Sequence, residues 1–125
     1  MGRSLNLWVP VVAWMGVLFH ASSQADVSGF GRFPDWLTHG AAYLVLSLLV
    51  CRALAGGVLL PLSARAAALA VVLCAAYGAS DEYHQSFVPG RDASAGDVAS
   101  DLGGAAIGAF VWRRGAGARS FEAQR

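Results

Sequence analysis

Polar and ionisable side chains that could do chemistry are concentrated in three short stretches of an otherwise apolar chain. In the first and third stretches they recur four residues apart, the spacing that places side chains on one face of a helix. The candidate binding residues are Asp35, His39, Tyr43, Asp81, Glu82, Gln85, Arg91, Asp97 and Asp101. If helices bring the three stretches to one level, we expect these residues to form a single site.

The residue types in this set indicate two kinds of chemistry. Carboxylate oxygens with one imidazole suit a divalent metal ion, and the candidate ligands are Asp35, His39, Glu82 and Asp97. The same four residues are candidate catalytic acids and bases, because several carboxylates close together in a low dielectric cannot all ionise. The forked donors of Arg91 suit a phosphate or carboxylate group on a ligand.

The composition of the chain is that of a membrane protein. Of its 125 residues, 56% are hydrophobic and only 14% are charged, against about 25% charged in an ordinary soluble domain. No phosphate-binding loop, hydrolase nucleophile motif or basic stretch with interleaved aromatics occurs, so nothing supports nucleotide hydrolysis or nucleic-acid binding. Cys51 and Cys74 lie in apolar runs without zinc-site spacing, and we interpret both as packing residues.

Four apolar segments approach the length of about 20 residues that crosses a bilayer. We predict an all-α polytopic membrane protein, one domain over residues 1–125, in which four transmembrane helices form a compact bundle. The predicted spans are residues 5–20, 35–55, 63–82 and 94–112. The first span is short and follows Arg3, so a cleaved signal peptide is an alternative for it.

Turn and capping residues set the expected helix ends. Gly56 and Gly57 should end the second helix, and Ser63 should cap the third. Ser94 and Asp97 resemble a capping box at the start of the fourth helix. The residues from 113 onward are expected to form a polar tail.

The arginine distribution predicts the orientation, since the chain contains no lysine. Only Arg32 and Arg91 lie at the end of the spans where seven of the eight acidic residues are found. The arginines at the opposite end are Arg3, Arg52, Arg65, Arg113, Arg114, Arg119 and Arg125. By the positive-inside rule, both termini are cytoplasmic and the acidic end is extracytoplasmic.

The depth of the polar residues indicates that they face other helices. Asp101 would lie about 10 Å along the fourth helix, and a carboxylate facing lipid there costs about 2 to 4 kcal/mol. We therefore expect Asp101 and His39 to face the interior of the bundle. Gly104 and Gly108 form a GxxxG motif, which could serve a helix pair within the chain or a homodimer.

Several of these residues also have a purely structural interpretation. Asp35 could stabilise a helix N-terminus through the helix dipole, and helix capping could be the whole role of Asp97. His39 could be an interior histidine hydrogen-bonded to Asp35. Arg91 could be a solvated loop residue.

Three segments of the chain resemble the VanZ-like family of small bacterial integral membrane proteins. The matching residues, which cover about Asp35 to Gly108, are Asp35-x-x-x-His39-x-x-x-Tyr43, Asp81-Glu82-x-x-Gln85-x-Phe87-x-Pro89-Gly90-Arg91 and Ser94-x-x-Asp97-x-x-x-Asp101-x-x-Gly104. Two positions depart from the family pattern: Trp36 stands where lysine is usual, and Asp101 where asparagine is frequent. We therefore do not expect a function that needs that lysine, but a function based on the carboxylates remains open.

The resemblance implies a location in the bacterial cytoplasmic membrane and an association with low-level resistance to the glycopeptide teicoplanin. Together with the polar residues, it predicts a site at the extracytoplasmic helix ends that binds an envelope lipid or an amphiphilic glycopeptide. One alternative is a membrane enzyme acting on a lipid-linked envelope substrate by acid–base or metal-assisted chemistry. A small transporter is a third interpretation, disfavoured because no charged residue lies near mid-membrane, and a structural partner of other membrane proteins is a fourth.

Overall fold

The protein is built from four helices and, in the part of the chain described, no strand. The structure is a computed structural model that describes residues 2–24, 33–58, 60–91 and 94–122, without the side chains of Arg3 and of residues 117–122. The helices are α1 (Gly2–Ser22), α2 (Asp35–Ala55), α3 (Ala64–Gln85) and α4 (Ala95–Glu122). The predicted all-α class is confirmed.

The ends of α2 and α3 follow the predicted capping chemistry. Gly56 adopts a left-handed backbone with φ of 81°; its N–H donates to the Ala53 carbonyl over 3.2 Å and the Gly57 N–H donates to the Arg52 carbonyl over 3.1 Å, which ends α2. Glycine reaches this conformation without the steric penalty of a Cβ atom. At the start of α3, the Ser63 hydroxyl accepts a hydrogen bond of 3.1 Å from the Ala66 N–H.

The polar segment after residue 112 is helical, since α4 continues to Glu122. Alanine and arginine, which recur in this segment, are strong helix formers. The guanidinium of Arg114 also lies 5.1 Å from the ring centre of Phe110, one turn earlier, which is a cation–π contact along the helix. A polar composition was therefore a poor guide to where this helix ends.

Three of the four predicted spans are long and apolar enough to cross a membrane. They are Ser4–Ser22, Asp35–Ala55 and Ala64–Gln85, in a search restricted to the described residues. The fourth helix is not among them. Its sequence combines many glycines and alanines with Asp97, Asp101, Arg113 and Arg114, which lowers its average hydropathy.

Contacts between the helices show that successive helices run in opposite directions. The indole N–H of Trp14 in α1 donates to the carbonyl of Ala42 in α2 over 3.0 Å, while Arg52 near the end of α2 donates to the carbonyl of Leu7 near the start of α1 over 3.4 Å. Ser22 at the end of α1 bonds to Asp81 near the end of α3 over 2.7 Å. The carboxyl ends of α1 and α3 therefore lie beside the amino ends of α2 and α4. This topology brings all three polar stretches to one end of the bundle, which we call the acidic end.

The closest helix pair is α2 with α4, and small residues allow the approach. A methyl group at Gly104 would overlap the carbonyl oxygen of Gly40, and one at Gly108 would lie 2.8 Å from the Leu44 carbonyl oxygen. The buried hydroxyl of Ser47 donates to the Ala105 carbonyl over 2.7 Å. The GxxxG motif therefore lies in an internal helix pair, where both glycines contact α2.

Candidate functional site

The acidic end is built around a hydrogen bond between α2 and α4. His39 Nδ1 lies 3.0 Å from Asp101 Oδ1, and Asp101 is only 1% exposed. The third wall is α3, where Gly78 leaves room for the carboxylate: a methyl group at Gly78 would lie 2.8 Å from Asp101 Oδ2. Both His39 and Asp101 face the interior, as their depth in the sequence predicts.

Glu82, at the carboxyl end of α3, reaches across to the start of α4. Its Oε2 accepts a hydrogen bond of 3.0 Å from the Ser94 N–H, and the residue is 6% exposed. The predicted capping box is therefore wrong in its partner, because Glu82 and not Asp97 accepts from the Ser94 N–H. Ser94 still caps α4 with its hydroxyl, which accepts from the Gly96 N–H over 3.0 Å.

His39, Glu82 and Asp101 together form the centre of the site, which we call the His–Glu–Asp cluster. Each residue offers one potential metal-ligand atom, and the three atoms lie within 4.8 Å of one another. Asp97 is half-buried and adds negative charge that acts on all three residues. Of the four predicted metal ligands, the structure brings His39 and Glu82 together. Asp101 is the third member of the cluster, and Asp97 lies at its margin.

Two buried polar atoms next to the cluster have no hydrogen-bond partner. They are Glu82 Oε1 and the hydroxyl oxygen of Tyr43, a residue that is only 2% exposed. The ring of Tyr43 and the Asp101 carboxylate approach the same point on α3, since a methyl at Gly78 would lie 3.2 Å from Tyr43 Cε1. Because buried polar atoms in folded proteins are almost always bonded, we expect a water molecule or a ligand beside these two.

A second set of hydrogen bonds, beside the cluster, links α1 and α3 to Arg91 in the loop before α4. Asp81 accepts a hydrogen bond of 2.7 Å from the Ser22 hydroxyl and one of 3.3 Å from the Gln85 amide. The other end of the Gln85 amide accepts from Arg91 Nη2 over 3.1 Å. Arg91 thus reaches the site through Gln85, and within the described chain it makes no direct ion pair with a carboxylate.

Asp35 is the predicted site residue that the structure does not bring in. It is exposed at the first turn of α2, and its side chain makes no hydrogen bond or ion pair with the described residues. His39 bonds to Asp101 and not, as one structural interpretation had it, to Asp35. Arg32, and the acidic residues Asp26 and Asp92 at the same end of the predicted spans, lie outside the described residues.

A shallow, open pocket lies beside Glu82, one of the three residues of the cluster. It lies between the end of α3 and the start of α4, has a volume of about 270 Å³, and is lined by Glu82, Tyr83, Ser86, Ser94, Ala95 and Val98. Tyr83 and Phe87 form an exposed edge-to-face pair at its margin, with ring centres 5.1 Å apart. A polar group in this pocket would meet Glu82, while an apolar tail could pass along the aromatic pair.

Two residues of the site were not selected from the sequence. Ser22 is buried and bonds to Asp81, and it lies just after the predicted first span. Gly78 matters because it has no side chain, which lets Asp101 and Tyr43 pack against α3. Neither role has a local sequence signal, because both depend on contacts with distant parts of the chain.

Comparison with known proteins gives one match. A model of the VanZ/LLP1 family matches residues 5–116, which is nearly the whole chain and includes all or most of every helix. No curated protein and no solved structure matches the chain.

Proposed function

The chain belongs to the VanZ/LLP1 family, and we propose that it is a four-span membrane protein that binds an amphiphile of the cell envelope at the extracytoplasmic ends of its helices. The ligand classes that fit this proposal are an envelope lipid and an amphiphilic glycopeptide such as teicoplanin. The observation that carries it is the pocket at the acidic end, which is lined by Glu82 and by Tyr83, one ring of an exposed aromatic pair.

The surface of α4 supports a fourth crossing despite its low average hydropathy. Its exposed large side chains between residues 102 and 111 are all apolar: Leu102, Ile107, Phe110 and Val111. Its one fully buried charged residue, Asp101, faces other helices. Average hydropathy counts the outer and the inner face of α4 together, whereas only the outer face would contact lipid.

The orientation rests on the charges at the two ends of the bundle. Arg52, Arg65, Arg113 and Arg114 lie at the end opposite the His–Glu–Asp cluster, and positive charge of this kind favours the cytoplasmic side. The acidic end, including the pocket, would then face outward. An envelope amphiphile could reach it from the outer leaflet.

Cysteine labelling in intact cells tests this orientation. Phe87 lies at the acidic end and is 68% exposed, while Val58 lies in the turn between α2 and α3 and is 67% exposed, so the pair is matched. We expect Phe87→Cys to react with a membrane-impermeant maleimide added outside, and Val58→Cys to react only after the cells are permeabilised. The native Cys51 and Cys74 are buried and should give little background. Labelling of Val58→Cys in intact cells would contradict the proposed orientation.

Filling the pocket tests the binding proposal. Ala95 lines the pocket on α4, and we expect Ala95→Trp to occupy the volume that a headgroup would take. Amphiphile retention should fall at least about tenfold, which corresponds to about 1.4 kcal/mol. The measurement is native mass spectrometry of the protein released from dodecyl maltoside micelles containing phosphatidylglycerol and phosphatidylethanolamine, with teicoplanin as a separate probe.

The matched control for this experiment is Ala106→Trp. Ala106 is also an exposed alanine of α4, but it lies about 16 Å further along the helix axis from Ala95. Tryptophan there should leave retention unchanged. Equal retention by the wild type, Ala95→Trp and Ala106→Trp would show that the pocket is not the binding site.

Catalysis is the second candidate function, and the hydrogen bond between His39 and Asp101 favours it. A histidine oriented by a carboxylate, with a second carboxylate at Glu82 nearby, is an arrangement that acid–base catalysis uses. Conversion of radiolabelled envelope lipid in proteoliposomes, lost in His39→Ala, would assign turnover to the site. Binding without conversion would leave it a binding module.

A further inference from the structure

We propose that His39, Glu82 and Asp101 hold one divalent transition-metal ion. The three potential donor atoms come from three different helices and lie within 4.8 Å of one another. Two of them, His39 Nδ1 and Asp101 Oδ1, are 3.0 Å apart. With bonds of 2.0 to 2.2 Å, two ligands are about 3 Å apart on an octahedral ion and about 3.4 Å apart on a tetrahedral one, so an ion would require little movement of this pair.

The partnerless atoms supply independent support for a ligand at this place. Glu82 Oε1 is buried without a hydrogen bond, while Oε2 of the same carboxylate is held by the Ser94 N–H. One oxygen is thus free to bind an ion, and the other is oriented by an outer contact, as is usual for metal-binding carboxylates. The buried hydroxyl of Tyr43 has no partner either, and it could donate to a water or anion held by the ion.

The charge of the site favours a cation. Asp81, Glu82 and Asp101 are buried, and Asp97 acts on Glu82 and Asp101 from the margin. Within the described chain, the one ion pair of these carboxylates is with His39, which is charged only when protonated. Buried carboxylates are costly unless they bind a proton or a counter-charge. A divalent ion would supply that counter-charge, with the proton between His39 and Asp101 released to solvent.

The donor set indicates which ions would bind. An imidazole nitrogen suits zinc or iron better than magnesium or calcium, and carboxylate oxygens also accept manganese. We therefore expect binding of Zn²⁺ and Mn²⁺ and little binding of Mg²⁺. Glu82 belongs to both the cluster and the pocket, but metal binding is measured without an amphiphile, so either proposal can fail while the other holds.

The test is metal binding by the full chain in dodecyl maltoside after treatment with EDTA. After dialysis against ZnCl₂ or MnCl₂, we expect inductively coupled plasma mass spectrometry to find one metal ion per chain. Affinity for Mn²⁺, measured from the paramagnetic resonance signal of the free ion, should fall at least about tenfold in His39→Ala and in Glu82→Gln. Glu82→Gln keeps an oxygen for the Ser94 N–H, so it should preserve the start of α4.

The matched control is Asp35→Asn, which removes an exposed carboxylate one turn from His39. It should leave both stoichiometry and affinity unchanged, and circular dichroism should show native helix content in every variant compared. The metal site is refuted if the wild type retains no ion above the level of the buffer. It is also refuted if Asp35→Asn weakens Mn²⁺ binding as much as Glu82→Gln does.

Discussion

Adding one methyl group at Gly104 is expected to push α2 and α4 apart. The new carbon would overlap the Gly40 carbonyl oxygen, and a backbone atom cannot turn aside as a flexible side chain can. Overpacking of a well-packed interior typically costs about 1 to 3 kcal/mol, and we expect Gly104→Ala to lose at least the upper value. The measurement is the free energy of unfolding on titration from dodecyl maltoside into sodium dodecyl sulfate, followed by circular dichroism.

The neighbouring residue provides the control for this prediction. Gly103 lies on the outer face of α4, and a methyl group there would meet nothing within 4 Å. Gly103→Ala should be neutral or stabilising by up to about 1 kcal/mol, because alanine has the higher helix propensity. If the two substitutions have equal effects, the close contact between α2 and α4 is wrong.

Removing the buried carboxylate of Asp101 is the second large effect. Asp101→Ala would leave His39 without its partner and open space against Gly78 and Tyr43. Removing one partner of a buried hydrogen bond typically costs about 1 to 3 kcal/mol, and we expect a loss near the upper value in the same unfolding assay. EDTA should be present, so that only contacts within the protein are compared.

Asp101→Asn separates loss of the hydrogen bond from loss of the charge. The amide oxygen of asparagine can still accept from His39, so this variant should lose about 1 kcal/mol or less. Asparagine is also the residue that the VanZ-like pattern frequently has at this position. Equal destabilisation by Asp101→Ala and Asp101→Asn would mean that the hydrogen bond to His39 contributes nothing to stability.

The parts of the fold that could be predicted from sequence are those set by local rules. Apolar length located the helices, and the ends at Gly56 and Ser63 follow from backbone freedom and capping. Alternation of short loops and helices predicted that the three polar stretches would meet at one end. The four-residue spacing correctly put His39 on an inward face.

The partners within the site could not be predicted, because they depend on contacts between helices. Spacing paired His39 with Asp35 on its own helix, but the close approach at Gly104 and the space at Gly78 bring Asp101 to it instead. Glu82 likewise accepts from the Ser94 N–H, and so bridges α3 and α4. No pattern within a single segment encodes such a contact.

The family resemblance identifies residues of the site, and the structure shows which of them contact each other. The resemblance selected Glu82 and Arg91 as members of one motif, but it says nothing about how they are connected. In the structure Arg91 contacts the Gln85 amide, whereas Glu82 belongs to the His–Glu–Asp cluster. Substitutions at these two positions therefore perturb two neighbouring hydrogen-bond networks.

The proposal that an envelope amphiphile binds at the acidic end is tested most directly by finding where a bound lipid touches the chain. The probe is phosphatidylglycerol with a photoreactive diazirine near its headgroup, incorporated into proteoliposomes, irradiated and mapped by mass spectrometry of peptides. We predict adducts concentrated on pocket residues such as Tyr83, Ser86 and Val98, and their loss in Ala95→Trp but not in Ala106→Trp. Adducts spread evenly over the outer faces of the helices, or unchanged by Ala95→Trp, would contradict the proposed site.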